Sequence, residues 1–293
     1  MYSFSEILHK LDQNIHMEFE VARLEPLFES QLDYQNFTNR HQQATVTKGD
    51  LKSYKGNCYL GIDAGSTTTK VAVVGEDGAL LYSFYSNNNG SPLSTAIHAI
   101  QEIYKDIPSD AHIVHSCSTG YGEALLKSAL MLDEGEVETV SHYYAAAFFN
   151  PQVDCILDIG GQDMKAIWLN HGVLTDIVVN EACSAGCGSF LEGFAKNLGI
   201  AVEDIATEAF SSKAPAVLGS RCTVFMNSSV VSEQRRGKGP GDIMAGLCRS
   251  IIENVFTKVI RVSNLNRLGD KVVVQGGTSR NDAVLRAFEQ YLG

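Results

Sequence analysis

Two short segments carry the residue types from which a phosphate and cation site is built. In the first, Gly61-Ile62-Asp63 leads into Ala64-Gly65-Ser66-Thr67-Thr68-Thr69-Lys70. Backbone N–H groups and hydroxyls in such a Gly/Ser/Thr loop can converge on a phosphate chain. A carboxylate at the loop's entrance can hold Mg²⁺, directly or through water. The loop is not of the Walker A kind, because the Gly-Lys-Ser/Thr ending and the helix after it are absent. In the second segment, Ile156-Leu157-Asp158 leads into Ile159-Gly160-Gly161-Gln162-Asp163-Met164-Lys165. Glycine follows the aspartate by two positions in both, and lysine follows it by seven. Ordinary hairpins with polar turns have no need for those spacings to agree. The agreement therefore argues for two related units that hold a nucleotide between their loops.

Stepping outward, each loop lies between runs that read as strands. Cys58-Tyr59-Leu60 precedes the first loop and Val71-Ala72-Val73-Val74 follows it. Glu76-Asp77-Gly78 then turns into Ala79 to Phe84, a third strand. The second loop is followed by a strand over Ala166 to Leu169, a turn at Gly172 and a strand from Leu174 to Val179. Pro92 sits at a plausible first turn of a helix running to Tyr104. Ile113 to Ser118 reads as a strand that ends in Thr119-Gly120-Tyr121-Gly122, a weak Gly-x-Gly turn into another helix. His142 to Ala147 is read as a mostly buried helical stretch, with His142 in a structural place. Late in the chain, Val272-Val273-Val274-Gln275 runs into Gly276-Gly277-Thr278 and a helix from Asn281 to Tyr291. Backbone without a Cβ lets a ribose or adenine approach closely. Phosphate loop, second phosphate loop and late Gly-Gly, in that order, resemble the superfamily of acetate kinase, sugar kinases, Hsp70 and actin. The resemblance runs from about residue 57 to the end. It implies an α/β actin-like ATPase fold with two ribonuclease-H-like subdomains, assigned here to residues 57–150 and 151–293. Residues 1–56 are read as an amino-terminal extension, amphipathic between Phe4 and Phe28 and a polar connector from Asn36 to Lys55, with His41 in solvent.

Composition narrows the partners. The 293 residues are 44% hydrophobic and 19% charged, enough for a substantial core. No apolar run reaches the length of a membrane span, and Met1 to Glu6 does not read as a signal peptide. A net charge of −11 argues against nucleic acid or an anionic membrane as partner. ATP stays compatible, since loop amides and Mg²⁺ would meet its phosphates.

Seven cysteines, an odd number spread over the chain, point to a reducing compartment. Cys58, Cys117, Cys155 and Cys248 lie in apolar patterns and are expected in the core. Cys183 and Cys222 fall at or near the starts of helices, the first of them expected to reach Leu198. Free N–H groups and the positive dipole end there suit a thiolate or an anionic iron–sulfur cluster. Zinc fits poorly, because one Cys-x₃-Cys (Cys183 and Cys187) and a distant Cys222 leave the usual four ligands incomplete. Two cysteines per chain meeting their mates across a two-fold axis would supply four. Three buried thiols remain the plain alternative.

Six motifs then occur in one order: Asp63 to Lys70, Ser118 to Gly122, Asp158 to Asp163, Asn180 to Cys183, Cys222 to Phe225 and Gln275 to Gly277. Together they closely resemble the BadF/BadG/BcrA/BcrD ATPase family. Within it they are similar to activators of 2-hydroxyacyl-CoA dehydratases and the related benzoyl-CoA reductase ATPase subunits. The resemblance implies a cytoplasmic homodimer sharing one [4Fe-4S] cluster, with Cys183 and Cys222 as each subunit's ligands. It implies a ferredoxin- or flavodoxin-type donor, and ATP-driven movement that sends a low-potential electron to an acyl-CoA dehydratase or reductase. With the spacings, it places Asp63 and Asp158 on Mg²⁺ or its waters. Ser66, Thr67, Thr68, Lys70 and the amides around Gly65, Gly160 and Gly161 fall on the phosphates. Gln162 or Asp163 orients the attacking water, and Gly276 and Gly277 face the nucleoside. The sequence departs from smaller activators at Cys187 and in residues 1–56, which resemble a connector of long multidomain activase-like proteins. The family normally adds a strand and a helix beyond the point reached by Gly293, so the chain is read as an excised domain. Two rival functions remain: a small-molecule kinase of the same fold, which leaves helix-end cysteines unexplained, and a non-catalytic nucleotide-binding module.

Overall fold

The computed structural model of the chain describes residues 24–43, 45–180, 187–220, 222–261 and 264–293. The reading of Phe4 to Phe28 as helix lies outside the described residues as far as Arg23, and residues 24–28 are not helical; the placement of Cys183 also lies outside them.

Two mixed sheets repeat one design. The first joins β1 (Gly56–Ala64), β2 (Thr68–Gly75), β3 (Leu80–Asn87), β4 (Ala111–Thr119) and β5 (Glu134–Gly135) in the order β3-β2-β1-β4-β5. The second joins β6 (Cys155–Ile159), β7 (Met164–Asn170), β8 (Val173–Asn180) and β9 (Val272–Gln275) in the order β8-β7-β6-β9. In each, the leading strand is antiparallel to the next strand in sequence and parallel to a later one, β4 or β9.

Strand β1 alternates: Cys58, Leu60, Ile62 and Ala64 are buried, whereas Tyr59 is exposed. The buried face packs on Ala96, Ala99 and Ile103 of α2 (Pro92–Asp106) and Leu126 of α3 (Glu123–Leu130). Pro92 stands at the start of α2, capped by the Ser91 side chain, as the sequence predicts. Strand β6 is buried throughout, because both of its faces are covered. Cys155, Leu157 and Ile159 face the large core of the second unit. That core is filled by α5 (Gly188–Asn197), α6 (Ile205–Ser211), α8 (Pro240–Asn254) and α9 (Asp282–Leu292). Ile156 faces the opposite way and packs with Ala146 of α4 (Glu138–Phe149). Helix α4 follows the first sheet in sequence yet covers the second. It is less buried than its apolar sequence predicts, since Tyr144, Phe148 and Phe149 are exposed.

The stretch from Asn36 to Lys55, read as a polar connector, begins inside a packed helix. Helix α1 (Gln31–Gln43) places Phe37 in the second unit's core beside Leu27 and Phe28. Arg286 of α9 reaches Asp33 at 2.8 Å, and Glu289 takes Arg40 at 2.7 Å and His41 at 2.8 Å. His41 is thus engaged with α9 instead of standing in solvent. Residues 47–49 then hydrogen-bond Leu80 at the margin of the first sheet, and Leu51 enters that sheet's core. This segment touches both units. No helix among the described residues is long and apolar enough to cross a membrane.

Candidate active site

In the first loop, Asp63 and Lys70 are direct partners in the β1–β2 ladder, with Nζ 2.9 Å from Oδ2. Both side chains are about one-third exposed or more. Gly65 N–H closes the turn on the Thr68 carbonyl at 3.0 Å. The buried Asn88 fastens the loop from beneath: its Nδ2 donates to the Gly65 carbonyl at 2.8 Å, and its Oδ1 accepts from the Thr69 hydroxyl at 2.6 Å. Ser66 and Thr67 are left exposed at the tip.

The second loop has the same backbone. Asp158 and Lys165 are ladder partners, and Gly160 N–H closes on the Asp163 carbonyl at 3.0 Å. Its charges are arranged differently. Asp158 and Lys165 have side chains only 5% and 6% exposed. Lys165 turns away from Asp158 to Asp163 and to Glu138, the latter at 3.0 Å. Asp158 Oδ2 lies 3.3 Å from His142 Nε2, which is equally close to Glu138. His142 Nδ1 is 2.6 Å from the Gln275 amide. Asp158 Oδ1 has no partner.

These surroundings set the titration of the group. Burial pushes Asp158 above the ordinary carboxylate range, the nearby Asp163 and Glu138 adding to it while His142 and Lys165 oppose. The hydrogen bond with His142, outweighing burial and helped by Lys165, pulls Glu138 down to about 2. Burial opposes the charged forms of His142 and Lys165. Their carboxylate partners outweigh it, so both lie above their ordinary values.

The likeness of the two units extends to a third strand. Thr119 stands beside Asp63 in the parallel ladder, and Gln275 stands beside Asp158. Each is followed by a glycine with positive φ, Gly120 at 86° and Gly276 at 96°. A Cβ would fall 2.6 Å from Asp63 Oδ1 at Gly120 and 2.7 Å from Asp158 Oδ1 at Gly276. Side chains are excluded at both places by φ and by space. The weak Gly-x-Gly turn is therefore the first unit's counterpart of the late Gly-Gly.

The two loops meet. Ser66 Oγ is 3.3 Å from Gln162 Oε1. On the same side, Tyr85 of β3 pairs with Lys70 in the ladder and lies under Arg280, 5.5 Å from the guanidinium to the ring centre. Gly277 borders the Tyr85 hydroxyl, a Cβ there falling 3.8 Å from it. The structure thus gathers Asp63, Ser66, Lys70, Asp158, Gln162, Asp163, Gly276 and Gly277 around one interface between the units. Sequence reasoning missed Glu138, Tyr85 and Arg280, took Gln275 only as part of a motif, and read His142 as structural. The helical spacing of Glu138 and His142 was a usable signal.

The sequence profile of the BadF/BadG/BcrA/BcrD ATPase family matches residues 60–293. The chain belongs to this family. It is 33% identical over 235 residues to the (R)-2-hydroxyglutaryl-CoA dehydratase activating ATPase of Acidaminococcus fermentans, covering 80% of this chain and 88% of that one. It is 31% identical over 230 residues to the activator of lactoyl-CoA dehydratase of Anaerotignum propionicum, covering 78% and 86%. Among solved structures it is similar to component A of the A. fermentans (R)-2-hydroxyglutaryl-CoA dehydratase. The TM-score is 0.70 at 30% identity, over 81% of this chain and 90% of that one. The ethanolamine utilization protein EutJ from Carboxydothermus hydrogenoformans shares the fold alone, with a TM-score of 0.53 at 13% identity over 90% and 92% of the chains. The α/β actin-like ATPase fold expected from the sequence is the fold observed.

Cys58, Cys155 and Cys248 are buried as expected, and Cys117 is half-buried. Helix α5 begins at Gly188, later than the sequence predicts, with Cys187 as its N-cap residue. Cys187 is 0% exposed and belongs to the large core. Cys222 is the N-cap residue of α7 (Thr223–Arg235) and is half-buried. The start of α5 is bonded straight to the second loop. Gly188 N–H donates to the Gly160 carbonyl at 3.0 Å and Ser189 N–H to the Gly161 carbonyl at 2.8 Å.

Proposed function

We propose that this chain hydrolyses ATP as the activator of an acyl-CoA dehydratase or reductase, and that it acts as a homodimer through one shared [4Fe-4S] cluster. Supporting this are the family and its named dehydratase activators. The observation that carries the reading is the direct bonding of the second Asp-centred loop to the segment that follows Cys183 and Cys187 in the chain. Gly160 and Gly161 accept from Gly188 and Ser189, one and two residues past Cys187. A change at the loop then moves the start of α5 with it.

The residues fit a nucleotide with its divalent cation. Asp158 Oδ1 is buried without a partner and faces bare backbone at Gly276, and Asp63 is half-exposed across the interface. Both carboxylates would hold Mg²⁺ or its waters, and the cation would offset the phosphate charge during hydrolysis. The amides and hydroxyls around Gly65, Ser66, Thr67, Thr68, Gly160 and Gly161 bind phosphate oxygens, with Lys70 beside them. Gln162, at the point where the loops touch, or Asp163 orients the water. Gly276 and Gly277 admit the nucleoside, with Tyr85 and Arg280 at its margin.

A [4Fe-4S] cluster, when bound, would supply the low-potential electron that the partner enzyme receives. Cys222 fits a ligand's place, being half-buried at the start of a 13-residue helix whose first N–H groups favour negative charge. Cys183 is the proposed second ligand. Cys187, buried in the core, is proposed to stand outside the ligand set. A ferredoxin- or flavodoxin-type protein is the donor, in a cytoplasmic setting.

The test is anaerobic purification with iron and sulfide analysis beside Mg²⁺-dependent ATP hydrolysis. Four irons per dimer are expected, lost in Cys183→Ser and Cys222→Ser and kept in Cys187→Ser. Stoichiometric phosphate transfer to a small acceptor, or nucleotide binding without turnover and without iron, defeats the proposal.

A further inference from the structure

The family resemblance assigns nothing to the contacts that hold Asp158, yet Glu138, His142, Asp158, Lys165 and Gln275 form one connected polar cluster. Both ring nitrogens of His142 are engaged, Nε2 between Glu138 and Asp158 and Nδ1 with Gln275. An imidazole so bounded cannot turn. Its Nε2 therefore fixes Asp158 Oδ2 and leaves Oδ1 buried against the Gly276 backbone without a hydrogen-bond partner.

Glu138 and His142 share their helix face with Ser141, three and four positions apart. Ser141 Oγ donates to Thr119 Oγ1 at 3.1 Å, and Thr119 Oγ1 donates to the Glu136 carbonyl at 2.8 Å. Thr119 is the residue beside Asp63 in the first sheet. One turn of α4 thus touches the strand next to one aspartate and the side chain of the other.

We propose that α4 is the gauge that sets Asp158 against Asp63, with His142 as a positioning residue for hydrolysis and Glu138 as the group that orients His142. The inference rests on the assignment of both aspartates to the nucleotide's cation. A rigid helix anchored at Thr119 holds the second carboxylate at a fixed place relative to the first, so that one cation or its water shell can bridge them. Misplacing a ligand of this kind by even an ångström is costly to rate, while substrate affinity, spread over many loop contacts, is nearly untouched.

The test uses the full chain and its variants His142→Ala, His142→Gln and Glu138→Gln. The readouts are kcat and KM for Mg²⁺-ATP hydrolysis, the Mg²⁺ concentration giving half-maximal rate, and thermal unfolding. His142→Ala should lower kcat roughly 10- to 100-fold, the range for groups that orient a metal's ligands. KM should change little, and the Mg²⁺ requirement should rise. His142→Gln keeps a side-chain N–H donor for Asp158 and should recover most of the loss. Glu138→Gln should fall between the two and serves where His142→Ala does not fold. Wild-type kcat and Mg²⁺ requirement in folded His142→Ala overturn the proposal. So does His142→Gln impaired as fully as His142→Ala with the same drop in thermal stability, since that marks a packing role. Wild-type protein without Mg²⁺-dependent nucleotide binding or turnover overturns the cleft assignment itself, and this proposal with it.

Discussion

The two Asp-centred loops share a backbone and divide the work. Around Asp63 the charges lie half in water, in one simple pair with Lys70, and the loop is fastened by the single buried Asn88. Around Asp158 the charges are buried and interlocked with Glu138, His142, Asp163 and Lys165. That loop is fastened by other elements, namely the start of α5 and the Thr278 hydroxyl, which donates to the Gly160 carbonyl at 2.8 Å. A repeated fold unit therefore does not imply repeated mechanics. The first loop can adjust to its ligand without disturbing a core. The second is hydrogen-bonded to the first residues of helix α5.

The sharpest way to break this comparison is at the aspartates. Asp63→Ala and Asp158→Ala should each reduce Mg²⁺-dependent ATP hydrolysis by roughly 10²-fold or more, since a cation contributes several kcal/mol of charge stabilisation. Normal turnover in either variant removes that loop from the site.

A second contrast concerns stability. Lys165→Met leaves Asp163 without its cation and Glu138 with His142 alone, and should cost about 2–3 kcal/mol. That is below the roughly 3–5 kcal/mol for breaking a fully buried pair, because both carboxylates are about one-third exposed. Lys70→Met removes a half-exposed pair and should cost about 0.5 kcal/mol. Urea unfolding of both variants measures the difference. Equal losses mean that the charges around Asp158 are not interlocked as described.

The parts legible in the sequence are those that local pattern determines. The Asp and Lys spacing is visible because ladder partners flanking a tight turn stand at a fixed separation along the chain. Most strands and helices declare themselves by alternation, Pro92 and turn glycines. The illegible parts depend on contacts between distant segments. Helix α1 buries one aromatic residue, Phe37, among polar neighbours, and its ion pairs to Arg286 and Glu289 reach across most of the chain. No local periodicity marks it. Likewise His142 sits on a helix whose sequence gives no sign that it will cross to the second sheet. The equivalence of Thr119-Gly120 and Gln275-Gly276 needed the ladders, because different side chains precede the glycines.

A last pair of variants separates the fastenings of the loops. Asn88→Ala removes the donor to the Gly65 carbonyl and strands the Thr69 hydroxyl, which is 0% exposed. An unsatisfied buried hydroxyl costs about 1–3 kcal/mol, so the loss should be near 2 kcal/mol. Thr278→Val keeps the shape and removes only the hydroxyl. The Gly160 carbonyl retains the Gly188 N–H at 3.0 Å, so no acceptor is stranded and the loss should stay at about 1 kcal/mol or less. Hydrogen exchange distinguishes what is loosened. Asn88→Ala should speed exchange of the Gly65 amide and leave Gly188 and Ser189 protected, whereas Thr278→Val should leave all three nearly unchanged. If Thr278→Val instead deprotects Gly188 and Ser189 as strongly as Asn88→Ala deprotects Gly65, the second loop hangs on one hydroxyl. The helix α5 bonds would then be too weak to carry movement from the nucleotide to the cysteines.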